Sequence, residues 1–184
     1  MPRKAVLNAE NRCVKKFIKH CEKQTKLFVG CDMMPDGFKV DIFSQLVDKT
    51  PYWIELKSTN KYDIAYMKHY GALMEKDKLT NLRTIVNEVG GKGMYLRFLE
   101  DGWMAWDIDN INTLSEDNKA RKAVKVSTKR DNIKKTPYWL LDWHDAMFIY
   151  DYNGVDVKQQ WLDQEMMIDC SKMSFDEVKQ LLST

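Results

Sequence analysis

The sequence predicts an α/β fold of the α+β type, a central mixed sheet flanked by helices. Three patterns predict it. Two strand-like runs, residues 38–47 and 52–58, meet across a short turn. Helical stripes of apolar residues lie before and after that pair. A second pair of strand-like runs, Met94 to Leu99 and Trp103 to Ile108, closes around Glu100-Asp101-Gly102 as a hairpin.

The elements follow in order. Residues 5–22 read as an amphipathic helix: Ala9, Cys13, Phe17 and Cys21 recur every four positions beside Val14 and Ile18, while Lys15, Lys16, Lys19 and Lys23 fall elsewhere. Leu27 to Met33 is a short apolar strand, closed by the turn residues Pro35-Asp36-Gly37. The two central strands are joined across Asp48 to Pro51. Ile64 to Val89 is helical again, with a break expected near Glu75 to Lys78, and Leu79, Leu82, Ile85, Val86 and Val89 form its stripe. Gly90-Gly91-Lys92-Gly93 stops that helix; its spacing does not match a phosphate-binding Walker loop. Tyr138 to Leu141 and Ala146 to Tyr152 read as extended, and Ser174-Phe175-Asp176-Glu177 is a capping box for a last helix through Leu182. The pentapeptide Lys-Thr-Pro-Tyr-Trp occurs at 49–53 and 135–139. Its flanks differ, so it reads as one turn-to-strand opening used twice.

Composition narrows the class. A hydrophobic fraction of 44% with six tryptophans is enough for a sizeable core, and 184 residues suit one domain with an extension. No stretch approaches the roughly 18–20 apolar residues of a membrane span. Met1-Pro2-Arg3-Lys4 starts positive without an apolar segment after it, so no secretory leader is expected. The four cysteines make no CxxC pair and read as reduced thiols of a cytoplasmic protein. Cys13, Cys21, Cys31 and His20 offer zinc-type donors, but not at the usual ligand spacings.

The net charge of +2 conceals a strong asymmetry. Residues 1–30 hold eight Lys/Arg against two acids, and residues 136–184 hold three against nine. A second basic run carries Lys119, Arg121, Lys122, Lys125, Lys129, Arg130, Lys134 and Lys135 with only Asp131 opposing. Basic segments of this kind suit either a polyanionic partner, whose counterions they release, or a solvated face.

Chemistry concentrates between Phe38 and Ser58. Side chains alternate along a strand, so Glu55 and Lys57 share a face while Ile54 and Leu56 take the other. A paired strand brings Asp41 beside them. Asp41 lies inside an apolar run, Val40, Ile42 and Phe43, where an acid is costly unless used or paired. Two carboxylates can hold a divalent cation with an ammonium one step away, a phosphodiester-hydrolysing set. Asp36, in the preceding turn, is the rival first carboxylate; Asp41 is preferred because a strand fixes its direction. Glu-x-Lys on its own is also the ordinary wet face of an antiparallel sheet.

Asp41 followed by Glu55-Leu56-Lys57 resembles the catalytic core of the PD-(D/E)xK nuclease superfamily, with Val40-Asp41-Ile42 in place of Pro-Asp. Over residues 5–108 the order of elements resembles the Holliday junction resolvases: helix with an acid, strand, Asp strand, Glu-x-Lys strand, helix ending in Gly-Gly, strand. A glutamine that resolvases carry at the start of that second helix is absent from Lys78-Leu79-Thr80-Asn81. The resemblance implies a restriction-endonuclease-like sheet, with residues 1–110 as the nuclease core and 111–184 as a basic segment and C-terminal extension packed on the same domain. It implies that Asp41, Glu55 and the Leu56 carbonyl bind Mg²⁺ or Mn²⁺, and that Lys57 orients or deprotonates the attacking water. Glu10 is a further candidate at the metal, or simply an acid favoured near a helix N-terminus. Lys15, Lys16, Lys19, Lys119, Arg121, Lys122, Lys125, Lys129 and Arg130 are the candidate DNA contacts. The expected function is a structure-specific DNA endonuclease acting on branched DNA as a homodimer, since symmetric cutting of a junction needs two sites about a twofold axis. Another nuclease of the superfamily, or a catalytically silent nucleic-acid-binding protein of the same fold, are the alternatives.

Overall fold

The computed structural model describes residues 12–20, 27–35, 38–59, 61–114 and 138–172. Along the chain come α1 (residues 12–20), β1 (Phe28–Met33), β2 (Ile42–Leu46), β3 (Pro51–Ser58), α2 (Ile64–Tyr70), β4 (Ala72–Glu75) and α3 (Lys76–Val89). Then follow β5 (Lys92–Phe98), β6 (Gly102–Asp107), α4 (Ile108–Leu114), β7 (Tyr138–Leu141), β8 (Phe148–Asp151) and α5 (Val157–Lys172). Six strands form one mixed sheet in the order β1-β2-β3-β5-β6-β8, flanked by helices, as the sequence predicted.

Local chemistry sets the first half of that sheet. The β2–β3 turn is closed by the Asp48 carboxylate, which accepts the Thr50 N–H at 2.9 Å, and by Lys49, whose N–H donates to the Leu46 carbonyl. Lys49 takes the left-handed conformation there, with φ of 67°. The next strand, β3, pairs in parallel with β5, so the chain makes a crossover through α2, β4 and α3 before returning. Residues of β5 after Lys92 and all of β6 are buried, because helices cover both faces of these central strands.

Two cores result. On one face α1 lays Val14 and Phe17 against Ile42, Ile54, Leu56, Leu96 and Trp103. Phe17 is fully buried and meets Phe28, Phe98 and Trp103 edge-on at 5.7–6.0 Å, a burial that contributes about 1.5–3 kcal/mol. On the other face α2, α3 and α4 pack Ile64, Met67, Leu79, Leu82, Ile85 and Ile111 over Tyr95, Met104 and Trp106. At the end of α3 the Gly90 N–H bonds the Val86 carbonyl with φ of 85°, the glycine stop expected from the sequence.

Several expectations need correction. The stretch from Ile64 to Val89 is not one helix broken near Glu75. Gly71 ends α2 with φ of 73°, and Ala72–Glu75 runs as a strand antiparallel to β7. Both Tyr138 and Ala72 bury in this separate two-stranded sheet, so β7 is not part of the main one. Helices α4 and α5 were not anticipated. α5 follows Asp156, whose carboxylate accepts the Gln159 N–H at 3.0 Å. Among the described residues no helix is long and apolar enough to cross a membrane, and no group of three or more His, Cys, Asp or Glu side chains is arranged to hold a metal ion. Of the zinc-type donors, Cys21 lies outside the described residues, and Cys31 lies 3.1 Å from the Ser44 hydroxyl. The turn at Asp36, the basic run 119–135 and the capping box at Ser174 also lie outside the described residues.

Candidate active site

Strand register assembles the site. In the β2–β3 pair the register ends at Ile42 opposite Ile54, so Asp41, expected inside a strand running from 38 to 47, instead sits one residue before β2 at the end of that ladder. The Asp41 N–H donates to the Ile54 carbonyl at 3.1 Å, and the Leu56 N–H donates to Asp41 Oδ2 at 2.8 Å. The first carboxylate is thus tied to the backbone of the strand that carries the second. A strand residue's N–H and C=O share an edge, so the Leu56 carbonyl also lies on the Asp41 side. In the parallel β3–β5 pair, Glu55 stands beside Tyr95 and Lys57 beside Arg97. The first turn of α3 then brings Lys78 Nζ to 2.5 Å from Glu55 Oε1. Glu75, just before that helix, sits 3.8 Å from Lys57 Nζ.

The electrostatics follow from burial. Glu55 is only 3% exposed. Burial, reinforced by the neighbouring Asp41 charge, pushes its pKa up to about 7 although Lys78 and Lys57 pull it down. Burial alone would lower the Lys78 pKa, but Glu55, Asp41 and Glu75 together raise it, so Lys78 stays charged. The sign of the stability effect is fixed by linkage. The folded-state pKa of Glu55 lies above its ordinary 4.5, so its contribution is fully present below 4.5 and is lost as pH rises through about 7. In metal-free buffer the stability gap between Glu55→Gln and wild type is therefore expected to move in the variant's favour by up to about 3 kcal/mol across that window. Chemical denaturation at a series of pH values reads it; a gap that stays flat contradicts the raised pKa.

Glu55, Lys57, Glu75 and Lys78 open onto a cavity of about 520 Å³ that Lys61 and Arg97 also line. Arg97 is the unusual member. It is 9% exposed, and among the described residues its hydrogen bond runs from Nη1 to the Tyr95 hydroxyl at 3.3 Å. Its Nε is buried with no partner, and among the described residues no carboxylate pairs with it. A buried, under-satisfied guanidinium is costly, and its geometry suits two-point contact with a phosphate. Tyr95 in turn donates to the Leu73 carbonyl at 3.0 Å, which fixes the ring under Arg97.

Asp41, Glu55, Leu56 and Lys57 are thus brought together. Lys15, Lys16 and Lys19 are exposed on α1, which packs on the opposite face of the sheet from Glu55 and Lys57. Glu10, Asp36, Lys119, Arg121, Lys122, Lys125, Lys129 and Arg130 lie outside the described residues. Sequence reasoning missed Arg97, Lys78 and Glu75. Arg97 carried the same signal as Asp41, a charge inside an apolar run, here Met94-Tyr95-Leu96 and Phe98. Lys78 signals itself as a cation in the first turn of a helix, where the dipole disfavours it.

No protein-family model matches the sequence, and no curated protein does. Among solved structures, the chain is similar to Hjc, a Holliday junction resolvase of the archaeal hyperthermophile Archaeoglobus fulgidus, at 14% identity and a TM-score of 0.44 over 81% of this chain and 92% of that one.

Proposed function

We propose that this protein is a divalent-metal-dependent DNA endonuclease, acting on branched DNA as a homodimer. One observation carries the reading: the Asp41 carboxylate is bonded to the Leu56 N–H and its charge acts on the buried neighbouring carboxylate of Glu55, which shares a cavity with Lys57, Lys78 and Arg97. The donor set fits a hard divalent cation. Two anionic oxygens are held close enough for one to raise the pKa of the other, which is the electrostatic condition that a bound cation relieves. Asp41, Glu55 and the Leu56 carbonyl would hold Mg²⁺ or Mn²⁺, which supplies charge neutralisation at the phosphate and acidifies a bound water.

The chain's own residues do the rest. Lys57, steadied by Glu75, orients the attacking water and stabilises charge developing on the phosphate. Arg97 grips phosphate oxygens from the cavity wall. Lys78 holds Glu55 in place and compensates its charge before substrate arrives. That same ammonium on Glu55 also favours a second reading, a silent nucleic-acid-binding protein in which a lysine takes the cation's place.

One assay separates the two. Labelled four-way junction, blunt duplex and single-stranded DNA are each incubated with the full chain in Mg²⁺, Mn²⁺, Ca²⁺ or EDTA. Cleavage is expected in Mg²⁺ and Mn²⁺, with junctions cut fastest. Binding with little turnover is expected in Ca²⁺, whose looser coordination positions the water poorly. Binding without cleavage under every condition supports the silent protein, and full activity in EDTA removes the metal mechanism.

A further inference from the structure

The outer side of α2, together with Tyr62 just before its cap, carries three tyrosines in one stack. Tyr62 and Tyr66 lie nearly parallel, 15° apart with centroids at 4.3 Å, and Tyr66 and Tyr70 follow at 4.5 Å and 38°. All three are exposed, at 36%, 39% and 60%. The opposite side of the helix is satisfied by burying Ile64 and Met67, so the tyrosines are not needed for the core. A pair of aromatic residues four apart supports a helix by only about 0.2–0.5 kcal/mol, and of these rings only Tyr66 and Tyr70 lie within the seven-residue helix, little return for three large exposed rings.

The stack is held rigidly and aimed. The Asp63 carboxylate caps α2 by accepting the Tyr66 N–H at 2.7 Å. Asp101 accepts the Ile64 N–H at 2.9 Å, and the Tyr62 carbonyl accepts the Glu100 N–H at 3.1 Å. Tyr62 and its neighbour Lys61 line the same cavity as Glu55, Lys57 and Arg97. Lys61 has no carboxylate partner among the described residues, whereas the acid nearest in sequence, Asp63, is spent as the cap. One end of the aromatic stack therefore meets a cavity of about 520 Å³ whose four cations outnumber its two carboxylates, with room for a phosphate and the groups attached to it.

We infer that Tyr62, backed by Tyr66 and Tyr70, forms the end of a stacking platform for an unpaired nucleobase, and that a base next to the phosphate in the cavity continues the stack on Tyr62. The inference rests on the nucleic-acid reading above and adds the substrate feature it selects, a strand with bases out of the duplex. Aromatic stacking accepts any base, because each presents a π face, while Lys61 and Arg97 hold the backbone alongside.

The test compares binding of the full chain, in EDTA, to fluorescein-labelled oligothymidylate and to an abasic deoxyribose-phosphate strand of equal length. The two probes carry the same phosphates and differ only in bases. Wild type is expected to prefer oligothymidylate by roughly 5- to 100-fold, the range for one stacked base. Tyr62→Leu is expected to erase most of that preference, Tyr62→Phe to keep it, and Tyr70→Leu to reduce it less. The three positions are exposed, so a matching melting curve certifies the fold of each variant. Equal wild-type affinity for both strands, or a preference that survives Tyr62→Leu with Tyr66→Leu, overturns the platform; junction cleavage in Mg²⁺ would then still stand for the endonuclease. Failure to bind any DNA overturns both.

Discussion

Alanine at Asp41 or Glu55 is expected to abolish Mg²⁺-dependent cleavage, a loss of at least ~10³-fold, while the chain still folds and binds DNA. Asp41 is bonded to the Leu56 N–H, next to Glu55 on β3, and its charge acts on the Glu55 carboxylate. Lys57→Ala is expected to act alike, through loss of the cation beside the phosphate. None of the three should unfold the protein. Glu55 is buried next to another acid, so removing its charge relieves repulsion as it breaks the contact with Lys78. Single-turnover cleavage, melting curves and binding in EDTA, measured on the same preparations, decide the matter. If Asp41→Ala cuts normally and Asp36→Ala does not, the first carboxylate has been misassigned.

Arg97→Met is expected to move activity and stability in opposite directions. Met keeps an unbranched apolar stem while removing a buried, under-satisfied donor, a change expected to stabilise by about 1–3 kcal/mol. In a chain of this size that raises Tm by several degrees. Cleavage should fall by about 10²–10³-fold, because the cavity loses its forked donor for phosphate oxygens. Arg97→Lys should recover only part of it, since an ammonium supplies charge without the fork. A variant that is both less stable and fully active would make Arg97 a structural cation under Tyr95, with no part in binding.

Much of the site was legible because its first half is local. Alternation through Ile42-Phe43-Ser44 and Ile54-Glu55-Leu56-Lys57, with Asp48 and Pro51 between, specifies a hairpin and the face that Glu55 and Lys57 take, whereas Asp41 precedes β2 and Val40 packs in the opposite core from Ile42, so the expected alternation does not extend to Asp41. Gly90 was legible as a helix stop for the same reason: the requirement is conformational and sits in one residue. The second half depends on which strands neighbour each other, and pattern does not say that. Arg97 joins Lys57 only through the parallel pairing of β3 with β5, and Lys78 reaches Glu55 only because α3 packs across that pair. β4 escaped because four residues, Ala72-Leu73-Met74-Glu75, alternate too briefly to interrupt a helical period that resumes at Lys76. Its one signal was Gly71. α5 had a sign of its own, Asp156 three residues before Gln159, an N-terminal cap that the acidic surroundings concealed.

The parallel pairing of β3 with β5 also divides the assembly of the site in time. Asp41 meets Glu55 as soon as the turn at Asp48 closes, the kind of short-range contact that forms early. Lys57 meets Arg97 only after residues 59–91 have been folded into the crossover, whose closure entropy must be overcome before pairing repays it. The expected order is therefore an acidic half first and a cationic half later. In the interval the nascent hairpin holds two facing carboxylates before Lys78 or Arg97 has arrived, and whatever counter-charge the surrounding solution offers becomes, briefly, part of the folding pathway.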